Sequence, residues 1–150
     1  MPSRWNDQEA SQCAARPPAA PELGLRAVRE AVFVREQRVP VALELDEFDV
    51  LSRHVLAESR EGAAIGTARL LPDGHIGRMA VLSEWRGRGI GTALLETLLQ
   101  EARSLGLGQV VLHAQTHALA FYARLGFVAE GPAFVEAGIL HRVMRLALKG

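Results

Sequence analysis

The sequence lacks several features that would assign it to a specialised class of protein. It contains one cysteine, Cys13, so no disulfide can form within the chain, which is compatible with a reducing compartment. Acidic and basic residues balance at 17 each, so nonspecific attraction to nucleic acid or to an anionic membrane is not expected. No apolar run could span a bilayer, and Asp7 and Glu9 interrupt the stretch where a signal peptide would be apolar. These absences predict a cytoplasmic protein that binds neither nucleic acid nor membrane.

Length and composition fit one domain. The chain has 150 residues, of which 49% are hydrophobic, enough to bury a core. Residues 1–22 are rich in alanine and proline, and the prolines exclude a regular helix there. We expect this N-terminal segment to be partly mobile, with a first strand at Gln12–Arg16. Residues 23–150 are expected to form the single domain.

The spacing of apolar residues predicts a mixture of strands and helices. The patterns typical of strands occur in Arg53–Glu58, Ala63–Leu71, His75–Leu82, Gln109–Gln115, Phe127–Glu130 and Ile139–Leu148. The patterns typical of helices occur in Leu23–Arg35, Ile90–Leu105 and His117–Arg124. Short turns join the first three of these strands, which indicates an antiparallel meander. We expect an α/β protein with a mixed, mostly antiparallel central sheet flanked by about four helices.

A glycine-rich turn is the most informative segment of the chain. The sequence Arg86-Gly87-Arg88-Gly89-Ile90-Gly91-Thr92 lies between an apolar run, Met79–Leu82, and an amphipathic helix. Glycine allows positive φ and a close approach of the backbone to a ligand. The start of a helix adds N–H groups without partners and the positive end of the helix dipole. The turn therefore predicts a site for a phosphate-bearing ligand.

The spacing of the turn separates three classes of phosphate-binding loop. A P-loop requires a lysine, and the single lysine of this chain is Lys149. A dinucleotide-binding turn requires a third glycine, where this chain has Thr92, and an acid on the next strand, Gln109–Gln115, which has none. The pattern Arg-x-x-Gly-x-Gly, from Arg86 to Gly91, fits a third class.

That pattern resembles the pyrophosphate-binding loop of the GCN5-related N-acetyltransferases, the GNAT superfamily. A second element, Phe121–Phe127, resembles the closing helix of that family and the strand that follows it. The resemblance covers Gly24 to Leu148. Four fragments are most similar to the small ElaA-like branch: Val32–Gln37, Glu44–Asp49, His113–Gln115 and Glu136–His141.

The resemblance implies an acetyl-CoA-dependent N-acetyltransferase with acetyl-CoA as co-substrate and no metal. The acetyl group would pass directly to a primary amine of a small molecule in a ternary complex, without a covalent intermediate on Cys13. A homodimer is one expected assembly, since dimers are common in that family. Two alternatives stay open, a non-catalytic acyl-CoA-binding or sensing module and a structural domain without a ligand.

The resemblance also implies which residues bind the cofactor. Main-chain N–H groups of the glycine-rich turn would hold the pyrophosphate, and Met79 and Val81 would pair through their backbone with the pantetheine arm. Gln115 stands where many relatives have an asparagine that contacts the cofactor. The complete predicted set is Met79, Ala80, Val81, Arg86, Gly87, Arg88, Gly89, Ile90, Gly91, Thr92, Gln115 and Tyr122. The alternative is a tight connection between strand and helix, with both arginines as solvated surface charges.

Two residues are the predicted catalytic groups. Tyr122 would be the general acid, because a phenol with a pKa near 10 can protonate a thiolate of similar basicity; its alternative is a core tyrosine. His113 is the first candidate for the base, since its strand would lie beside the acetyl group. The other candidates by residue type are Glu36, His54, His117 and His141. No cysteine or glutamate pattern joins His113 and His117, so a metal site is not predicted.

The acceptor side of the site is expected to be acidic. Six polar or acidic residues fall in the segment that walls the acceptor pocket in relatives: Glu36, Gln37, Glu44, Asp46, Glu47 and Asp49. Carboxylates there would attract a cationic amine, although a solvated acidic loop would have the same sequence. The predicted substrate-binding set is Glu36, Gln37, His54, Glu136 and His141.

Overall fold

A computed structural model describes residues 10–16, 23–39 and 48–148 of the chain. Seven described strands form one sheet: β1 (Ala10–Arg16), β2 (Arg53–Ser59), β3 (Ala64–Leu70), β4 (His75–Val81), β5 (Gln109–Gln115), β6 (Val128–Glu136) and β7 (Ile139–Ala147). Their order across the sheet is β1-β2-β3-β4-β5-β7-β6. Every neighbouring pair is antiparallel except β4 and β5, which are parallel. The predicted mixed, mostly antiparallel sheet is thus confirmed.

The described helices are α1 (Leu23–Arg29), α2 (Ile90–Ser104) and α3 (Leu119–Arg124). The helix predicted to run to Arg35 is α-helical only as far as Arg29 and continues as a π-helix over Glu30–Glu36. The described residues thus contain three α-helices, the first of them extended by the π-helix, where about four helices were predicted. In the part of the chain that the structure describes, no helix is long and apolar enough to cross a membrane. The predicted mobility of the first residues and the acids Glu44, Asp46 and Glu47 lie outside the described residues.

The helices cover opposite faces of the sheet. Helix α2 packs tightly on β3, because a Cβ added to Gly66 would lie 3.1 Å from both Ile90 and Leu94. On the other face, Val28 and Val32 of the first helical segment pack with Ala80 of β4. The sheet therefore separates two layers, called here the α2 face and the α1 face.

Local sequence explains where α2 ends. Gly106 adopts φ 75°, and its N–H donates to the carbonyl of Arg103. The N–H of Leu107 donates to the carbonyl of Ala102, which completes a Schellman motif. The predicted stop at this glycine is the one observed.

Strand β6 is longer than the sequence pattern predicted. The pattern stopped at Glu130 because Gly131 and Pro132 are typical of a turn. In the structure the register of β6 against β7 shifts between Glu130 and Phe134, and the strand then continues to Glu136. Proline is tolerated there because β6 is the last strand in the sheet order and the irregularity absorbs the missing donor.

Candidate active site

A cleft opens in the sheet between β4 and β5. These two strands, which the structure describes in full, pair only through His75–Val111 and Ile76–Leu112. Just beyond, β4 contains a bulge, since two of its residues, Arg78 and Met79, oppose one residue of β3. Arg78 adopts φ 50°, a left-handed conformation that costs a non-glycine residue roughly 1–2 kcal/mol. Such local strain tends to persist where the fold needs an unusual backbone path, here the separation of β4 from β5.

The glycine-rich turn lies between the end of β4 and the start of α2. Gly87 and Gly89 have φ values of 77° and 84°, and Gly89 is the N-cap of α2. A glycine N-cap has no side chain to bond the first N–H groups of the helix, so those groups are left for a ligand. An added Cβ at Gly87 would have no protein atom within 4 Å, so the backbone here faces open space. The turn therefore fits an anion such as a diphosphate.

Arg86 is held by the protein itself. Its guanidinium donates two hydrogen bonds to the Glu36 carboxylate, at 2.6 and 2.7 Å, and its Nε donates to the Val81 carbonyl at 3.0 Å. The hydrogen bond from Arg86 lowers the pKa of the Glu36 carboxyl below its usual value. This pair fastens the glycine-rich turn to the end of the π-helix. Arg88, also predicted to bind cofactor, has its guanidinium 4.9 Å from the centre of the Trp85 ring.

Tyr122 lies on the α2 face of the sheet. Its hydroxyl donates a hydrogen bond to the Met79 sulfur at 3.6 Å, and its ring packs against Phe121 and Phe127. Burial raises the pKa of Tyr122 to about 12. The phenol is therefore protonated at neutral pH and can donate a proton.

His113 is the first residue of β5 beyond the last position paired with β4. Its Nδ1 lies 2.9 Å from Glu136 Oε1, and its ring meets Phe134 edge to face, with centroids 5.1 Å apart. The rings of His75 and His113 meet in the same manner at 6.3 Å. Strand register places His113 with His141 on the face opposite α2. His113 is adjacent to the buried Leu112 and so points to the other face, and His141 pairs with Gln115, which shares the face of His113.

Three of the predicted site residues thus form one cluster. The His141 ring stacks on Phe134, and its Nδ1 donates to the Ile139 carbonyl at 2.7 Å. Its Nε2 lies 3.8 Å from Glu136 Oε2. The Glu136 carboxylate therefore lies between the imidazoles of His113 and His141.

Gln115 faces the end of the π-helix. Its side-chain NH2 group donates to the side-chain oxygen Oε1 of Gln37 at 3.0 Å, and its own Oε1 lies 2.7 Å from Nε2 of His117. Because Glu36 and Gln37 are adjacent, one end of the π-helix contacts both the glycine-rich turn and β5. This arrangement bridges the two sides of the cleft on the α1 face.

His54 does not join this cluster. It is 2% exposed, and its Nε2 donates to the main-chain carbonyl of Asp49. Burial lowers the pKa of His54. The Asp49 carboxylate, expected to line the acceptor pocket, is 3% exposed and accepts hydrogen bonds from Arg29 and Arg69. Both residues are therefore buried in the core on the α1 face.

Three residues near the cleft had no recognisable signal in the sequence. His75 and Phe134 meet His113 only because of strand register, and Arg78 has a left-handed backbone that its residue type does not suggest. A local motif cannot report contacts between separate strands. A glycine at position 78 would have been the one visible sign of the bulge.

Comparison with known proteins gives consistent matches. Residues 20–148 match the model of the family described as the acetyltransferase (GNAT) domain. YjcF of Bacillus subtilis, an uncharacterised N-acetyltransferase, is 36% identical over 121 residues, which cover 78% of this chain and 86% of YjcF. An acyl-CoA N-acyltransferase from Pseudomonas aeruginosa has 36% identity and a TM-score of 0.79, with 89% of this chain and 97% of that chain covered. ElaA of Escherichia coli has 27% identity and a TM-score of 0.79, with 89% and 98% covered.

Proposed function

The chain belongs to the GNAT acetyltransferase family, and on this basis we propose that it transfers the acetyl group of acetyl-CoA to a primary amine of a small molecule. The observation that supports this most is the cleft between β4 and β5, which has the glycine-rich turn at one end. Tyr122 stands on one face of the sheet beside this cleft and His113 on the other.

The proposed cofactor site consists mainly of backbone. Main-chain N–H groups from Gly87 to Thr92 would hold the diphosphate, and those of Met79 and Val81 would pair with the pantetheine arm. Ala80 would contribute backbone alone, since its side chain packs among the residues of the first helix. Arg86 would act by fixing the turn, because its guanidinium already binds Glu36.

The proposed chemistry is a direct transfer. Acetyl-CoA supplies an acetyl thioester, whose carbonyl carbon gains a bond to nitrogen as its bond to sulfur breaks. His113 would accept the proton that the amine loses, and Tyr122 would give its proton to the departing thiolate. Burial raises the pKa of Tyr122 to about 12, which keeps the phenol protonated at neutral pH. The same desolvation would raise the basicity of a thiolate released beside it, so the two groups would stay matched for proton transfer.

The acid and the base would then act from opposite faces of the sheet. Tyr122 packs with the core of the α2 face, whereas His113 lies on the α1 face with Glu136. The acceptor would therefore enter from the α1 face, past Gln37 and Glu136. A carboxylate at this entrance favours a cationic amine, because the attraction survives in a partly desolvated site.

An acceptor screen tests this function. The protein is incubated with acetyl-CoA and a panel of polyamines, amino sugars, amino acids and peptides, and release of free thiol is followed together with the mass of the acetylated product. We expect amine-dependent thiol release with at least one class. Stabilisation by CoA in a thermal-shift assay without thiol release from any amine would instead indicate a non-catalytic acyl-CoA-binding module. Absence of any stabilisation by CoA would contradict the cofactor site.

A further inference from the structure

We propose that Glu136 is a positioning residue that prepares His113 to act as the base, an inference that rests on the proposed function. Glu136 stands at the end of β6, and His113 stands on β5, two strands away in the sheet. Their side chains nevertheless meet, with 2.9 Å between Nδ1 of His113 and Oε1 of Glu136. This distance is that of an ordinary hydrogen bond, so the two side chains are directly coupled.

The contact selects one tautomer of His113. A carboxylate oxygen only accepts hydrogen bonds, so Nδ1 of the imidazole must carry the hydrogen. In the neutral ring Nε2 then keeps its lone pair, which is the form required of a proton acceptor. Without the carboxylate, neutral imidazole would divide between two tautomers, one of which has no lone pair on Nε2.

The order of the strands indicates which way each ring nitrogen of His113 faces. Glu136 lies on the side of β5 that faces β7 and β6, so Nδ1 is turned away from β4. The Nε2 lone pair diverges widely from the Nδ1–H bond, so we infer that Nε2 is turned toward β4, where the cleft opens. The side chain of His113 is 37% exposed, so the ring is accessible from solvent.

The surrounding groups hold both partners in place. Phe134 meets the His113 ring on one side and stacks with His141 on the other. The donation from His141 Nδ1 to the Ile139 carbonyl keeps that ring fixed, with its Nε2 facing the second oxygen of Glu136. On β4, His75 is engaged by Asp73 at 3.0 Å, so it does not compete for Glu136. His141 and His75, the titratable neighbours of His113, are thus each held by a hydrogen bond to another group.

The substitution Glu136→Gln tests the inference because it keeps the shape of the side chain and removes its charge. Glutamine can also donate through its NH2 group, so it no longer forces the hydrogen onto Nδ1. We expect kcat for the best acceptor to fall about tenfold or more, within the roughly 10²–10⁴-fold contribution of a general base. We expect the thermal shift produced by CoA to stay unchanged, since Glu136 does not touch the glycine-rich turn.

Glu130→Gln is the matched control. Glu130 lies on the same strand and in the same row of the sheet as His113, but its carboxylate makes an ion pair with Arg145, so the same chemical change is made without touching the contact to His113. We expect this variant to keep the kcat of the wild type.

The tautomer is measured directly by nitrogen NMR of histidine-labelled protein, with the His113 signals assigned by their loss in His113→Gln. The inference predicts a hydrogen on Nδ1 in the wild type and in Glu130→Gln, and a substantial population with the hydrogen on Nε2 in Glu136→Gln. An unchanged tautomer or an unchanged kcat in Glu136→Gln would overturn the inference about Glu136. The proposed function would still stand in that case, provided that the wild type transfers acetyl groups. A wild type that acetylates no amine would overturn the proposed function, and with it this inference.

Discussion

The hydroxyl of Tyr122 donates a hydrogen bond to the sulfur of Met79, at 3.6 Å across the wall of the cleft. A thioether sulfur is a weak acceptor, so this bond positions the phenol without holding its proton strongly. Met79 belongs to the bulged part of β4, whose backbone lines the proposed pantetheine site. In the proposed function the phenol would stand where the thiolate is released, and its proton would move to that better acceptor.

Removal of the phenol hydroxyl tests its role as the acid. The substitution Tyr122→Phe keeps the ring contacts with Phe121 and Phe127 and removes only the proton donor. We expect kcat for acetyl transfer to fall roughly 10²-fold or more, while the affinity for CoA changes little. Steady-state kinetics and calorimetric titration with CoA measure the two quantities. A variant with the kcat of the wild type would remove Tyr122 from the mechanism.

The pKa of Tyr122 can be measured without interference, because the chain contains one tyrosine. Burial raises this pKa to about 12, so phenolate absorbance after a rapid pH jump should appear with a midpoint near 12 in the folded protein. In denaturant the midpoint should return to the usual value of about 10. The folded state holds the proton more tightly, so this contribution to stability is present below about pH 10 and is lost as pH rises toward 12. A midpoint near 10 in the folded protein would show that the phenol is solvated.

A side chain in the glycine-rich turn tests the diphosphate site. The substitution Gly89→Glu puts a bulky negative side chain at a position with φ 84°, where CoA phosphates would bind. We expect the stabilisation by CoA in a thermal-shift titration to disappear. Gly62→Glu is the matched control, since Gly62 has φ 85° and a Cβ added there would meet open space. The control should lose similar stability from backbone strain and yet bind CoA as the wild type does; loss of CoA binding in both variants would point to general damage instead.

The buried carboxylate of Asp49 should stabilise the fold strongly. It bonds the guanidinium of Arg29, which is fully buried, at 2.7 Å, and that of Arg69 at 2.9 Å. Removal of one partner from a buried ion pair typically lowers the free energy of unfolding by about 3–5 kcal/mol. We therefore expect Asp49→Asn to lose about that much in urea unfolding. Glu30→Gln breaks the exposed pair with Arg35 and should cost less than about 1 kcal/mol. Equal losses in the two variants would contradict the role of Asp49.

Local patterns predicted most of the fold. The period of apolar residues located the strands and α2, and the glycine-rich turn has the positive φ values that its sequence suggested. The resemblance to the GNAT superfamily, including its ElaA-like members, is confirmed by the family match and the similarity to ElaA. Local sequence patterns did not predict three features: the π-helix over Glu30–Glu36, the bulge at Arg78 and the second half of β6.

Candidate residues of the site could be predicted from the sequence, but the residues that they contact could not. Glu36 and Arg86 are 50 residues apart and Gln37 and Gln115 are 78 apart, and each pair meets only because the end of the π-helix packs against the sheet. Asp49 looked like part of a solvated acidic loop because its two arginine partners lie on α1 and β3, outside that segment. The assignment of single residues to a cleft is therefore possible from sequence, whereas their pairing requires the folded sheet.

The crystal structure of the protein with bound CoA tests the central claim most directly. The account predicts diphosphate oxygens within hydrogen-bond distance of the main-chain N–H groups between Gly87 and Thr92, and a pantetheine arm paired with the backbone of Met79 and Val81. The thiol should end between Tyr122 on one face of the sheet and His113 on the other. The account would be contradicted if CoA bound elsewhere on the chain, or if β4 and β5 formed continuous backbone hydrogen bonds along the cleft in its presence.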